Sequence, residues 1–350
     1  MLFRPASLQR HETAASFFAA GRPCAVAQDT ALAGRIRSVE NGLIPYVPVR
    51  GFPSWTLAER MRHYGVPGVS IAVIRDFRID WAKGYGLADT LRNIPVTTET
   101  LFSAGSISKL VLAMAALRQV QEGTLALDAP VNRYLRSWKI EENEWTRATP
   151  VTLRMLLSHT GSTIQSSYFG FPPGKKPLPG ILDILNGSPS AESRKVIVNS
   201  APGKEFRYSG GGSMIAQLLL MESTRRRFED LTEQTVFRPL GMRHSTFEQP
   251  LLPALSRQAS EAYSVAPWFR GMPYVYPQQA AAGLYSTPSD LARFFINLQR
   301  SYAGSGTVLQ QATARQMFRP QVKVSEGFYR EEMGLGPFLL QQYGNRTEKG

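Results

Sequence analysis

The sequence predicts an α+β protein, on three observations. Two strand-like stretches, Val69-Ser70-Ile71-Ala72-Val73-Ile74 and residues 79–85, lie near the start of the chain, and another, residues 335–343, lies near its end. Between them runs Val111-Leu112-Ala113-Met114-Ala115-Ala116-Leu117, a strong helix former with no Gly, Pro or charge, apolar on almost every side and so suited to the middle of a domain. Beyond Asp128 the pattern is mostly helical until the last strand.

Taken in order, residues 1–50 form an N-terminal segment with a degenerate signal-peptide outline. Arg4 and Arg10 precede a short apolar patch at 14–20, and Ala25-Val26-Ala27 fits a small-x-small cleavage site. Glu12 and Arg22-Pro23 depart from that outline. Export to the periplasm or beyond is the expectation, with the cytoplasm as the alternative. Residues 55–64 read as an amphipathic helix with Leu57, Met61 and Tyr64 on one side, ended by Gly65-Val66-Pro67-Gly68. The turn Arg75-Asp76-Phe77-Arg78 joins the first two strands without the Gly usual in tight hairpins. The apolar helix stops near Gly123, a natural residue to follow a helix end.

Thr152 is a plausible N-cap for a helix that ends at Gly161, and residues 161–205 are a Gly-, Pro- and Ser-rich loop of a length that shapes binding clefts. Met214, Ile215, Leu218 and Leu219 share a helical face. Thr287 as N-cap, Pro288 at N1 and Asp290 at N3 start a helix with the stripe Leu291, Phe294, Phe295, Leu298. Gly344-Asn345-Arg346 reads as the turn after the last strand.

At 350 residues, 43% hydrophobic and 19% charged, the chain can bury a large core. The net charge of +13 predicts attraction to anionic surfaces such as phospholipid headgroups. Its basic residues are scattered, with short runs such as Arg225-Arg226-Arg227 and Lys175-Lys176, so no specific nucleic-acid partner is expected. One cysteine, Cys24, and four dispersed histidines give neither a disulfide within the chain nor a metal-ligand spacing, and no cofactor is implied. No stretch reaches the length of a transmembrane helix.

Ser106 and Lys109 stand three residues apart at the start of the apolar helix, so hydroxyl and ammonium share a face. A serine becomes a nucleophile when a base takes its proton. A lysine serves as that base when burial and the positive helix end lower its pKa, and free N–H groups at the helix start can hold an oxyanion. On residues alone a second reading stays open, in which Ser106 caps the helix and Lys109 points to solvent. Tyr208, beside the Gly210-Gly211-Gly212 turn, is likewise either functional or a core tyrosine.

The stretch from Phe102 to Lys109, the apolar helix and Gly123-Thr124-Leu125-Ala126-Leu127-Asp128-Ala129-Pro130-Val131 resemble the serine β-lactamase and penicillin-binding-protein superfamily. More narrowly they are similar to its class C-like branch, which includes esterases and D-amino-acid peptidases. Leu156-Leu157-Ser158-His159-Thr160, Pro239-Leu240-Gly241-Met242 and the segment from Ala280 to Leu291 resemble further family segments. The resemblance covers about residue 52 to 350.

It implies a β-lactamase/transpeptidase-like fold: an antiparallel sheet flanked by helices, with a helical lobe inserted at about 130–300. It also implies an acyl-serine mechanism with Ser106 as nucleophile and Lys109 and Tyr208 moving its proton. His159 takes a structural role by the same resemblance, securing a helix end near the site. The family's second motif is Tyr-x-Asn; here Gly210 stands at the Asn position, as in an esterase-like variant, which favours an ester, amide or peptide substrate over strong β-lactamase activity. Nothing after Leu335 matches the third motif, so the resemblance implies a domain over 51–350 that is incomplete at its C-terminus, with strands missing and activity impaired. A non-catalytic acyl-ligand-binding member of the fold is the alternative function. A basic surface-binding protein on the same scaffold is a further one.

Overall fold

The computed structural model describes residues 25–45, 50–51, 53–263, 274–326 and 329–342. The Arg4-to-Ala20 part of the signal-peptide outline, Cys24 and the 344–346 turn lie outside these residues, whereas Ala25-Val26-Ala27 opens a helix. The fold is α+β, with helices and, among the described residues, three small antiparallel sheets.

Two compact units are distinguishable. The smaller comprises the chain up to Val69 together with Gly84–Val96, and the larger comprises Ser70–Lys83 and everything from Thr97 on. In the smaller unit α1 (Ala25–Glu40) is followed by α2 (Leu57–Tyr64). Thr56 caps α2 in a reciprocal box: its hydroxyl accepts the Glu59 N–H at 3.1 Å and the Glu59 carboxylate accepts the Thr56 N–H at 2.7 Å. Gly65 ends α2 in the left-handed conformation. Leu57 is buried as expected, but Tyr64 is exposed, lying at the surface with its hydroxyl on Arg60.

Strands β1 (Gly68–Arg75), β2 (Arg78–Asp89) and β3 (Ile94–Pro95) form one sheet in that order. The turn between β1 and β2 puts both Asp76 and Phe77 at positive φ, 50° and 57°. Asn, Asp and Gly usually fill such a turn, so Phe77 is the residue that kept the geometry of this expected hairpin turn from being read in the sequence.

In the larger unit β4 (Phe102–Gly105) leads through a turn into α3 (Ser108–Gln121). Val111, Leu112, Ala113, Met114, Ala115, Ala116 and Leu117 are all buried, so this helix runs through the core. It ends where expected, with Gly123 at φ 77°. Short helices α4 (Glu144–Ala148), α5 (Leu153–Leu157) and α6 (Ile181–Asn186) precede α7 (Gly210–Thr224), which is buried from Gly210 to Leu220 and packs on α3 and α5. Thr152 caps α5 through the Met155 N–H. Three more short helices follow: α8 (Phe228–Thr232), α9 (Arg238–Leu240) and α10 (Pro253–Ser256).

Then come α11 (Gln279–Ala282), β5 (Leu284–Ser286) and α12 (Pro288–Ala303). β5 pairs antiparallel with β4, with Phe102 opposite Ser286, a pairing of residues far apart in the chain that local pattern does not announce. The α12 stripe is seated as expected, with Phe294, Phe295 and Leu298 buried. Thr287 caps α12, yet Asp290 does not close a capping box. Its buried carboxylate instead accepts from the His244 N–H at 2.7 Å, the Ser245 hydroxyl at 3.0 Å and Arg293 at 2.9 Å.

After α13 (Gln311–Met317), β6 (Val322–Glu326), β7 (Tyr329–Met333) and β8 (Phe338–Gln342) form a meander. The expected strand at 335–343 is thus shorter, because Gly336 at φ 107° belongs to the turn before it. No described helix is long and apolar enough to cross a membrane.

Candidate active site

Ser106 lies in the turn between β4 and α3, two residues before the first helical position. Gly105, at φ 50°, lets the strand break into that turn, a conformation other residues rarely adopt. The Ile107 N–H bonds to Ala104 O and the Lys109 N–H to Ser106 O, both at 3.1 Å, so tight i-to-i+3 bonds carry the chain into the helix. Ser106 is therefore not the helix cap. That position is Ile107, which makes no side-chain cap bond. Ser108 ties the turn down: its buried hydroxyl donates to Gly105 O at 2.5 Å and accepts the Leu284 N–H at 3.0 Å.

Lys109 turns inward, with 8% of its surface exposed, which removes the solvent-facing reading. Its Nζ donates to Ser106 Oγ at 3.2 Å and to the Ala281 carbonyl at 2.7 Å, and it sits 4.8 Å from the Tyr208 ring centroid. Among the described residues no carboxylate forms an ion pair with Lys109, and burial pushes its amine down to about 8. Tyr208 is brought to the same hydroxyl. Burial raises its phenol, and the nearby Ser106 hydroxyl draws it partly back. The three residues singled out in the sequence thus meet around Ser106 Oγ.

His159 grips the segment that carries Tyr208 from both sides. Its carbonyl accepts the Arg207 N–H at 2.7 Å and its Nδ1 accepts the Ser209 N–H at 3.2 Å, while its ring lies 4.5 Å from the Tyr208 ring. Burial, with the Lys109 charge behind it, pushes the imidazole down to about 3, so it stays neutral and keeps Nδ1 free to accept. His159 itself is held at φ 56°, off the usual backbone regions. Among the described residues no group of three or more His, Cys, Asp and Glu could hold a metal ion.

The chain matches a family model described as Beta-lactamase over residues 56–347. The chain belongs to the beta-lactamase family. Among curated relatives, Protein flp of Staphylococcus aureus (strain MW2) is 25% identical over 184 residues, 53% of this chain and 35% of the relative. Unguisins hydrolase ungD′ of Aspergillus campestris is 30% identical over 190 residues, 53% and 34% of the two chains. The matched stretch thus spans about a third of the length of these relatives. Among solved structures, the octameric penicillin-binding protein homologue from Pyrococcus abyssi shares the fold at a TM-score of 0.64 and 24% identity, covering 81% of this chain and 63% of that one. EstCE1, a hydrolase with promiscuous acyltransferase activity, does so at 0.65 and 20%, covering 90% and 84%.

In this beta-lactamase-family chain the departure at Gly210 has a packing reason. The Gly210 and Gly211 N–H groups, free at the start of α7, donate to Ser166 O and Gln165 O at 2.9 Å each, so the 163–168 segment lies directly on the helix start. A Cβ on Gly210 would stand 3.0 Å from the Tyr168 ring and 3.1 Å from Ser166 O; one on Gly211 would stand 2.6 Å from Ile164 O. The glycine triplet makes room for that segment.

Sequence reasoning missed three contributors. Ser108 carries a signal, since it stands inside the Ser106–Lys109 motif. Ala281 acts through its carbonyl, which no side-chain pattern reveals. Phe338, 43% exposed on β8, stacks on Tyr208 at 6.4 Å and meets Phe206 at 5.8 Å, giving the site an aromatic wall. A separate polar cleft of about 600 Å³ lies at the far end of α3, lined by Arg118, Glu122, Arg226 and Thr307, and includes none of the Ser106 constellation.

Proposed function

We propose that this chain is a serine hydrolase that cleaves a small ester, amide or peptide through an acyl-serine intermediate. The observation that carries the reading is the buried Lys109 amine, 3.2 Å from Ser106 Oγ and lowered to about 8. At neutral pH a fraction on the order of a tenth of such an amine is uncharged and able to accept the serine proton. The Ser106 Oγ–carbonyl carbon bond then forms as the O–H proton passes to Lys109 and the carbonyl electron pair moves onto oxygen. The Ser106 N–H, in the turn ahead of the helix, supplies one oxyanion donor. Collapse expels the alcohol or amine, which takes a proton by way of Tyr208 and Lys109, and water releases the acyl group by the same steps in reverse.

With Gly210 and the 163–168 segment against it, the start of α7 offers no side-chain amide beside Tyr208. That supports an ester or simple amide substrate over a strong β-lactamase reading. The test is reaction with a fluorophosphonate, read by intact mass and peptide mapping. Covalent mass on Ser106, absent in Ser106→Ala, is the expected result; a folded protein that takes no label on Ser106 overturns the reading.

A further inference from the structure

The acceptor that aims Lys109 belongs to a segment with almost nothing of its own to hold it. α11 is four residues long, Gln279-Ala280-Ala281-Ala282, too short to be stable alone and without bulky side chains to anchor it. Polar groups elsewhere fix it instead. Gln217 is one amide in an otherwise apolar stretch of α7, Met214-Ile215-Ala216-Gln217-Leu218-Leu219-Leu220, and only 2% of it is exposed. Burying an amide is costly unless its hydrogen bonds are made, and these are. Its Oε1 accepts the Ala280 N–H at 2.9 Å and its Nε2 donates to Gln279 Oε1 at 2.8 Å. Gln279 Nε2 in turn donates to Phe247 O at 2.8 Å and Glu229 Oε2 at 3.2 Å. At the other end of α11, Gln249 Nε2 donates to Gly283 O at 2.7 Å while its Oε1 accepts the Tyr276 N–H at 3.0 Å. The Ala281 carbonyl, 2.7 Å from Lys109 Nζ, sits between these two braces.

We infer that Gln217 is a positioning residue for the hydrolysis: by holding α11 it fixes the carbonyl that aims the Lys109 amine at Ser106. This rests on the serine-hydrolase reading above. Gln217 hydrogen-bonds to neither the serine nor the lysine, and its polar link to them runs through α11. Losing the brace releases the Ala281 carbonyl and the segment packed on α3, so Lys109 loses its aim and part of its cover.

The test is the pH dependence of fluorophosphonate labelling of Ser106, in which an Oγ–P bond forms, fluoride leaves and the serine proton goes to Lys109. Gln217→Leu is compared with wild type and with Leu219→Ala, which opens a cavity on another face of the same helix. In Gln217→Leu the labelling rate at pH 7 is expected to fall about ten- to a hundredfold, and the midpoint of its pH profile to move by about half a unit or more. Leu219→Ala, a packing change, is expected to lower the melting temperature and leave the midpoint in place. Should Gln217→Leu not fold, Gln249→Leu loosens the other end of α11 and is read in the same way. An unmoved midpoint in a folded Gln217→Leu, with a rate loss no larger than that of Leu219→Ala, overturns the inference. Wild-type protein without any label on Ser106 overturns the serine-hydrolase reading instead, so the two failures are distinct.

Discussion

Burial of the Lys109 amine sets the pH at which this site works. If the neutral amine is the base, acylation of Ser106 rises with pH through a midpoint near 8. Lys109→Arg keeps a charge that cannot be lost in this range and is expected to be nearly inactive; an active Arg variant would place the base elsewhere. The same amine costs stability. Its folded value of about 8 lies below the ordinary 10.5, so between these values the unfolded chain still holds a proton that the folded chain has released. The penalty is therefore full below about 8 and disappears as pH rises towards 10.5, a change of up to a few kcal/mol. Lys109→Met lacks that gain. Its stability relative to wild type, measured by urea unfolding, should be higher at pH 7 than at pH 10, and a pH-independent difference would show that burial does not depress this lysine. At His159 the decisive groups are the Nδ1 acceptor and the positive φ. Asn supplies an acceptor and tolerates that backbone, so His159→Asn should keep the fold and most activity, whereas His159→Leu strands the buried Ser209 N–H and should lose about 1–3 kcal/mol by thermal unfolding.

At the scale of elements, the start of α7 separates helix propensity from packing. Gly-to-Ala in a helix ordinarily gains about 1 kcal/mol. A Cβ on Gly211 would stand 2.6 Å from the Ile164 carbonyl, a backbone atom with no rotamer to yield. Gly211→Ala is therefore expected to destabilise by about 1–3 kcal/mol; a stabilised variant would mean the 163–168 segment moves aside readily. The cap of α12 gives a simpler case. Thr287→Ala removes the acceptor for the Asp290 N–H at 3.2 Å and should cost about 1 kcal/mol by chemical unfolding, since the Asp290 carboxylate bonds that hold the helix start remain.

At the scale of the larger unit, α3 and α7 form the buried centre and the reactive groups sit at their N-terminal ends. Core destabilisation and chemistry should thus be separable. Leu117→Ala, at a fully buried position two turns from Lys109, is expected to lower stability by about 2–5 kcal/mol while the folded fraction keeps its Ser106 labelling rate. Native-state hydrogen exchange checks the same picture, with the α3 amides among the slowest. A labelling rate that falls with stability would tie the site to packing along the whole helix.

The sequence by itself determined the features that a short window encodes. The run from Val111 to Leu117 could only be a buried helix, the Thr287-Pro288 start and the Leu291-to-Leu298 stripe fixed α12, and the three-residue spacing put Ser106 and Lys109 on one face. Tyr208 was legible only through resemblance, because no local rule says that it reaches a serine about a hundred positions earlier. The tertiary structure alone decided what surrounds that serine. The carbonyl on Lys109 comes from 172 residues away, and the brace on α11 spans 63. The geometry of the Asp76-Phe77 turn and the pairing of β6, β7 and β8 into a meander were likewise hidden, since turn geometry and strand partnership depend on what packs around them. Contacts of that range are made by backbone groups and single buried amides, which leave no periodicity in the sequence, and they are what turns a common three-residue spacing into an aimed base.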